Sequence, residues 1–156
     1  TLARVQEAGG IAVFAHPVRR EAWRKFDPDW APFLCGIELW NRKSDGITWG
    51  RHAWDLIQRT GLPPTVGQDF HRARHLYPLT MALPTGHVPG AADLQQQLVA
   101  ALRAGEGRPQ VFGRPLLDES GAPKTPLHDR LEALRCKLRR RPAPSLHPGP
   151  EAGKSP

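Results

Sequence analysis

Asp69 and His71 stand two positions apart in the segment "GQDFH", a spacing that suits metal binding. The segment ends a predicted strand, and side chains two positions apart in an extended chain point to the same side. One carboxylate and one neutral imidazole on one side are ligands for zinc, manganese or iron. A D-x-H triplet is common by chance, so the alternative is an aspartate that caps a turn beside a surface histidine.

His16 is a third candidate ligand, at the end of the apolar strand in "GIAVFAHPVRR". A His-Pro pair after a buried strand is otherwise typical of a turn. If the strands are parallel, however, their carboxyl ends share one edge, where ligands bind. We therefore expect His16 to lie beside Asp69 and His71. Asn41 ends another strand and belongs on the same rim.

Glu38 lies in the apolar segment "GIELWN", a second predicted strand. Alternation along the strand places Glu38 and Trp40 on one face. The other face then carries Ile37, Leu39 and Asn41. A buried carboxylate needs a partner, and a metal ion or its bound water would serve. The alternative is an exposed strand residue that pairs with an arginine.

Basic side chains follow several predicted strand ends, where a phosphate group would sit. We expect Arg19 and Arg72 to contact phosphate, whereas a solvated surface charge is the more common arrangement for the others. The full set is Arg19, Arg20, Arg42, Lys43, Arg72 and Arg74. His75 follows His71 by four positions and either extends the site or faces solvent.

The helices and strands that must position these residues alternate along the chain with short connections. The predicted strands are "IAVFA", "GIELWN", "LPPTVGQDFH", "LYPLTMALP" and "PQVFG". The predicted helices cover residues 2–8, 51–61, 91–105 and 126–140. The alternation predicts a parallel α/β fold, either a doubly wound sheet or part of a barrel. The unbroken apolar run of the first strand predicts burial on both faces.

The composition fits one domain with a basic end. The chain has 156 residues, enough for a sizeable core. Its formal net charge of +7 and pI near 10.2 favour anionic partners such as nucleic acid or phosphorylated substrates. Much of the excess lies in "RCKLRRR", and the Pro/Gly/Ser-rich residues 141–156 predict a disordered tail.

The expected setting is the cytoplasm. No apolar run approaches the ~20 residues that span a bilayer, and no signal-peptide pattern opens the chain. Cys35 and Cys136 have neither metal nor redox spacing, which favours a reducing compartment. We therefore expect no membrane partner.

The segments "GGIAVFAHP", "GIELWN" and "GQDFH", in this order and with helices between them, resemble the C-terminal half of the PHP domain (polymerase and histidinol phosphatase). The resemblance covers residues 2–84. It implies the C-terminal part of a distorted seven-stranded (β/α) barrel. Barrels of this family hold two or three metal ions, commonly zinc, manganese or iron, and hydrolyse phosphoesters.

The resemblance also implies roles for individual residues. His16 corresponds to the histidine of the family's Ala-His-Pro motif, and Asp69 and His71 correspond to its closing aspartate and histidine. All three would be metal ligands. Asp69 and His71 would also take part in catalysis, in which the metal activates a water for attack on phosphorus. Glu38 matches a recurrent family position, and we take it as a fourth ligand. The substrate would be a phosphorylated small molecule or a nucleotide.

The family's remaining metal ligands have no counterpart in this chain. We expect them in a missing N-terminal half, so that residues 1–117 form a partial PHP-like domain able to hold one ion. Residues 118–156 are expected to form a basic helix and a disordered tail. The alternative function is a non-catalytic basic module that binds nucleic acid or another polyanion through that tail.

Overall fold

The strands form two separate three-stranded sheets within residues 1–84 and 91–139, the part of the chain that the computed structural model describes. The strands of these residues are β1 Val13–Phe14, β2 Gly36–Asn41, β3 Pro64–Gly67, β4 Leu79–Ala82, β5 Arg108–Val111 and β6 Arg114–Pro115. The α-helices are α1 Leu2–Glu7, α2 Arg42–Asp45, α3 Arg51–Thr60, α4 Ala91–Arg103 and α5 Pro126–Arg139. Short 3₁₀ helices cover Arg19–Lys25, Pro28–Phe33 and Ala73–His75.

The first sheet is parallel, with β2 between β1 and β3. Ile37 pairs with Phe14 on one side and with Pro64 on the other. All six residues of β2 are buried, as expected for the central strand of a covered parallel sheet. Because the strands are parallel, the chain leaves all three at the same edge of the sheet.

The second sheet is antiparallel, in the order β4-β5-β6. The prediction of parallel strands throughout is therefore wrong for the second half of the described chain. For β5 and β6 the physical reason is visible at Phe112 and Gly113, which join the two strands and have φ values of 51° and 70°. A two-residue turn with positive φ at both positions reverses the chain into a hairpin. Neither sheet closes into a barrel in the described residues.

One apolar core joins the two sheets. Ile37, Leu39 and Trp40 of β2 are fully buried, and they belong to the same cluster as Leu79 of β4 and Val111 of β5. The amphipathic helix α3 covers this core with Ala53, Leu56 and Ile57, as its periodicity predicts. The two sheets consequently behave as parts of one packed unit.

Glycines end two of the predicted helices where the sequence places them. Gly61 follows α3 with φ of 69° and donates its N–H to the Ile57 carbonyl at 2.9 Å. Gly9 follows α1 with φ of 79°. Left-handed backbone of this kind is readily adopted by glycine, so both helix ends are confirmed.

The first strand differs from its prediction. Only Val13 and Phe14 pair with β2, and Val13 is 37% exposed. The prediction that this strand is buried on both faces is therefore wrong. The reason is that β1 is an edge strand, whose outer side is not covered by a neighbour in the described sheet.

Some predictions concern residues outside the described part of the chain. The predicted disordered tail of residues 141–156 lies there, and the side chain of Arg74 is also outside the description. Among the described helices, none combines the length and the apolar character that are needed to cross a bilayer.

Truncation of the central strand tests the core. Leu39→Ala removes a fully buried side chain and is expected to lower the free energy of unfolding by about 2–5 kcal/mol, measured by urea denaturation. Leu76→Ala is the matched control, because Leu76 is 71% exposed and its loss should change stability by less than about 0.5 kcal/mol. Equal effects of the two substitutions would contradict the placement of β2 at the centre.

Candidate metal-binding site at the carboxyl edge of the parallel sheet

The site lies where the chain leaves the three strands of the parallel sheet. His16 follows β1, Asn41 ends β2 and Asp69 follows β3. His16 and Asp69 both have left-handed backbone, with φ values of 53° and 48°. Such values are uncommon outside glycine, although aspartate and histidine are enriched among the exceptions. Residues with unusual backbone of this kind cluster at functional sites.

A bulge in β2 changes which side chains meet. The pairing of β2 with β3 shifts between Glu38 and Trp40, so regular alternation fails there. As a result Asn41 Nδ2 donates to both carboxylate oxygens of Glu38, at 3.2 and 3.1 Å. The prediction that Glu38 and Asn41 lie on opposite faces is therefore wrong, because the bulge turns them to the same side.

Glu38 contacts the backbone N–H and the Nδ1 atom of His16, whereas Asp69 lies toward the Nε2 atom. Glu38 Oε2 accepts the backbone N–H of His16 at 2.7 Å and lies 2.9 Å from His16 Nδ1. Gly67 of β3 makes room for this carboxylate, since a Cβ at Gly67 would lie 2.0 Å from Glu38 Oε1. The structure thus gives Glu38 the position of a residue that orients a histidine, whereas the sequence suggested a direct ligand.

The other nitrogen of His16 points toward Asp69. His16 Nε2 lies 3.9 Å from Asp69 Oδ2, while Nδ1 is held between Glu38 and Asn41 Nδ2, which is 2.7 Å away. His16 Nδ1 accepts from Asn41 Nδ2 in one tautomer and donates to Glu38 in the other, and in the second tautomer Nε2 presents its lone pair to the site. A carboxylate in this role fixes the tautomer of metal-binding histidines.

Asp69 is the centre of the cluster. Its Oδ1 lies 2.6 Å from His71 Nε2, so the two residues of the D-x-H triplet are in contact. Its Oδ2 is shielded from solvent and forms an ion pair with Lys43 Nζ at 3.0 Å. The Lys43 ammonium, and after it the His71 ring, hold the pKa of Asp69 below its ordinary value against the effect of desolvation.

Of the two neighbouring histidines, His71 is exposed and His75 is half-buried. His71 is 58% exposed, and its backbone N–H donates to His75 Nδ1 at 3.3 Å. Their rings meet edge to face at 6.2 Å. The 3₁₀ helix Ala73–His75 brings His75 back into contact with His71. His75 therefore borders the site and contacts His71.

The basic candidates separate into two groups. Lys43 pairs with Asp69, and Arg42 donates to the Gly46 carbonyl and lies 5.1 Å from the Tyr77 ring centre. Arg19 and Arg72 are solvent-exposed on the loops that carry His16 and His71. The latter two remain the candidates for phosphate contacts.

Asp45 is a site neighbour that sequence reasoning missed. Its Oδ2 accepts the backbone N–H of Asn41 at 2.8 Å, and Asn41 Oδ1 in turn caps α2 by accepting from the backbone N–H groups of Lys43 and Ser44. Burial, and then the charge of Glu38, raise the pKa of Asp45 to about 6, although the Asn41 N–H and His16 oppose the shift. The signal in the sequence was "NRKSD", an asparagine cap with an acid one turn later.

The imidazoles of His16 and His71 and the carboxylate of Asp69 are groups that bind divalent ions, but these side chains contact one another. In residues 1–84 and 91–139, no group of three or more His, Cys, Asp or Glu side chains is arranged to hold a metal ion. The ligand atoms of a tetrahedral zinc lie roughly 3.3 Å apart. His16 Nε2 and Asp69 Oδ2 are near this separation at 3.9 Å, whereas His71 hydrogen-bonds Asp69 and Lys43 provides the neighbouring positive charge.

Comparison of the sequence with protein-family models, with curated proteins and with solved structures gave no match in any of the three. The resemblance to the PHP domain therefore stays a prediction.

The raised pKa of Asp45 predicts a pH-dependent stability. An acid with a raised folded-state pKa binds more protons in the folded than in the unfolded state between about pH 4 and 6, so its contribution to stability falls as the pH rises through this range. Asp45→Asn keeps an acceptor for Asn41 and removes the titration. The free energy of unfolding of the variant, relative to wild type, should increase by about 1–3 kcal/mol between pH 4 and 7 in urea denaturation.

Asp55→Asn is the control for the loss of one carboxylate, since Asp55 is an exposed residue of α3. If the free energies of unfolding of wild type and Asp45→Asn changed in parallel with pH, burial would not raise the pKa of Asp45.

Proposed function

We propose that this edge of the sheet binds one divalent ion, zinc, manganese or iron, and serves hydrolysis of a phosphate ester. The observation that carries the proposal is the contact of His16, Asp69 and His71, which arrive from two different loops. His16 Nε2 and His71 Nε2 lie 3.9 and 2.6 Å from the two oxygens of Asp69. A bound ion would activate a water and polarise the phosphoryl group, and three protein ligands leave a coordination position open for that water.

The support around His16 favours this role over that of a turn histidine. Glu38 Oε2 lies 2.9 Å from His16 Nδ1, and this carboxylate is itself fixed by the His16 N–H and by Asn41. This carboxylate is nearly buried, with 9% of its side chain exposed. Burial of a carboxylate is costly unless it is hydrogen-bonded, so its use to orient one histidine suggests that the ring direction matters.

Asp69 is the anionic ligand of the proposal. Its lowered pKa keeps it ionised at neutral pH, as a hard cation requires. A metal ion at Oδ2 would replace Lys43, and the released ammonium would stay at the same edge. There Lys43 can donate to a phosphate oxygen, together with the exposed Arg19 and Arg72. The substrate class that fits is a phosphorylated small molecule or a nucleotide.

Metal titration tests the ligand set. Isothermal titration of the purified chain with zinc and with manganese is expected to give one site, and His71→Ala should weaken it at least tenfold because it deletes a ligand. Glu38→Gln should weaken it about 10–100-fold through the orientation of His16. His52→Ala is the matched control, an exposed histidine of α3 that stacks on Trp23. Equal affinities for His71→Ala and His52→Ala would refute the site.

Substitution of Lys43 gives a second test, in which metal affinity and the rate of hydrolysis should change in opposite directions. Lys43→Met removes the competing ammonium, so metal affinity is expected to rise about threefold or more, whereas metal-dependent hydrolysis of p-nitrophenyl phosphate should fall. Lys25→Met, at an exposed lysine, is the control. Unchanged metal affinity in Lys43→Met would show that Lys43 and the ion do not share Asp69.

A further inference from the structure

Helix α5 exposes its apolar side. Its four leucines, Leu127, Leu131, Leu134 and Leu138, are 64%, 45%, 53% and 56% exposed. A surface helix normally turns its apolar stripe toward the core. We call these four residues the leucine seam.

The polar side of α5 is the side that meets the rest of the chain. Thr48 Oγ1 donates to Asp129 Oδ1 at 2.8 Å, and the His128 ring packs edge-on to Trp40 at 5.4 Å. Glu132 Oε2 and Arg135 Nη2 lie beside Gly46, 3.5 and 3.1 Å from where a Cβ of that residue would be. These contacts fix the rotation of the helix, so the leucines cannot turn inward without breaking them.

The spacing of the leucine seam is that of a coiled coil. The intervals of four, three and four residues place the leucines at alternating a and d positions of a heptad. At 3.6 residues per turn, the four side chains occupy an arc of only about 60°. A helix that lies in a lipid surface has a broader apolar face, so the narrow seam favours a partner helix.

The charges beside the leucine seam define the partner. Of the e and g positions, which flank such a seam, the g residues Arg130 and Lys137 are exposed. The e residues face the body of the chain, where His128 packs on Trp40 and Arg135 forms an ion pair with Glu132. The acids Asp129 and Glu132 lie on the side that contacts residues 46 and 48. Two copies of α5 would oppose like charges at these positions, whereas a helix with acidic e and g residues would oppose unlike charges.

A cavity of about 610 Å³ adjoins the start of the leucine seam. Its lining includes Leu127 of the seam, Phe112 of the β5-β6 turn, and the basic residues Arg114 and Lys124. Phe112 is 62% exposed, so the apolar surface continues past the helix end. A concave, basic end to the seam suits a polypeptide side chain better than a flat bilayer.

We propose that the leucine seam of α5 binds an amphipathic helix of another protein, with apolar a and d residues and acidic e and g residues. The interface is independent of the phosphoesterase proposal, because it uses none of the residues at the sheet edge. Either proposal can fail without the other.

The test uses two labelled synthetic helices of about three heptads, with leucine at a and d and with either glutamate or lysine at e and g. Fluorescence anisotropy with the full chain is expected to show binding of the glutamate helix at least tenfold tighter than the lysine helix, weakening as salt rises. Similar affinities for the two helices, or no binding of either, would overturn the proposal.

Two sets of substitutions probe the surface itself. Leu131→Ser with Leu134→Ser should weaken the glutamate helix at least tenfold, and Leu94→Ser with Leu98→Ser is the control at exposed leucines of α4. Arg130→Glu with Lys137→Glu leaves the leucines in place and should reverse the preference toward the lysine helix. Circular dichroism must show that each variant is folded, and the charge reversal still tests the proposal if the leucine variant is not.

Two further measurements test whether a second copy of the chain or a lipid surface covers the leucine seam instead. Sedimentation of the chain alone should show no dimer that is lost in the Leu131→Ser, Leu134→Ser variant. Vesicles rich in phosphatidylserine should not compete with the glutamate helix. A seam-dependent dimer, or competition by such vesicles, would assign the leucine seam to a second copy or to a lipid surface and overturn the proposal.

Discussion

The side chain of Glu38 enters the site from a strand whose six residues are all buried, and a carboxylate there destabilises the fold unless hydrogen bonds satisfy it. It receives them from the His16 N–H and from Asn41 Nδ2, and the missing side chain of Gly67 leaves it the space. Residues from all three strands or their loops therefore depend on one carboxylate. Because these contacts fix the loop after β1, the direction of the His16 ring follows from them.

Two further carboxylates at this edge are shifted in opposite directions. Desolvation raises the pKa of Asp45 to about 6, whereas the Lys43 ammonium lowers the pKa of Asp69. Near neutral pH the negative charge is thus best stabilised at Asp69, the carboxylate beside both histidines. Pairs of acids whose environments separate their pKa values are a recurring feature of sites that handle protons or cations.

At α5 the usual division between apolar core and polar surface is reversed. The hydrogen bond of Asp129 to Thr48 and the packing of His128 on Trp40 hold the helix to the chain, while the leucine seam stays outside. The apolar core is built instead from β2, α3 and the antiparallel sheet, so the main body does not draw on these leucines. An exposed apolar seam with basic flanks gives the helix a surface for recognition that is separate from the sheet edge.

The sequence by itself determined the features that depend on local residue preferences. Gly61 ends α3, the buried face of α3 follows from its periodicity, and the segment "GIELWN" forms the predicted strand β2. The contact of Asp69 with His71, and their approach to His16, follow from chain exits at one edge of parallel strands. Tertiary structure decided the antiparallel pairing of β4 to β6, the bulge that turns Glu38 toward Asn41, and the pairing of Lys43 with Asp69. Each of these depends on which distant segments meet and in what register, and that is set by packing of the whole chain rather than by the residues of any one segment.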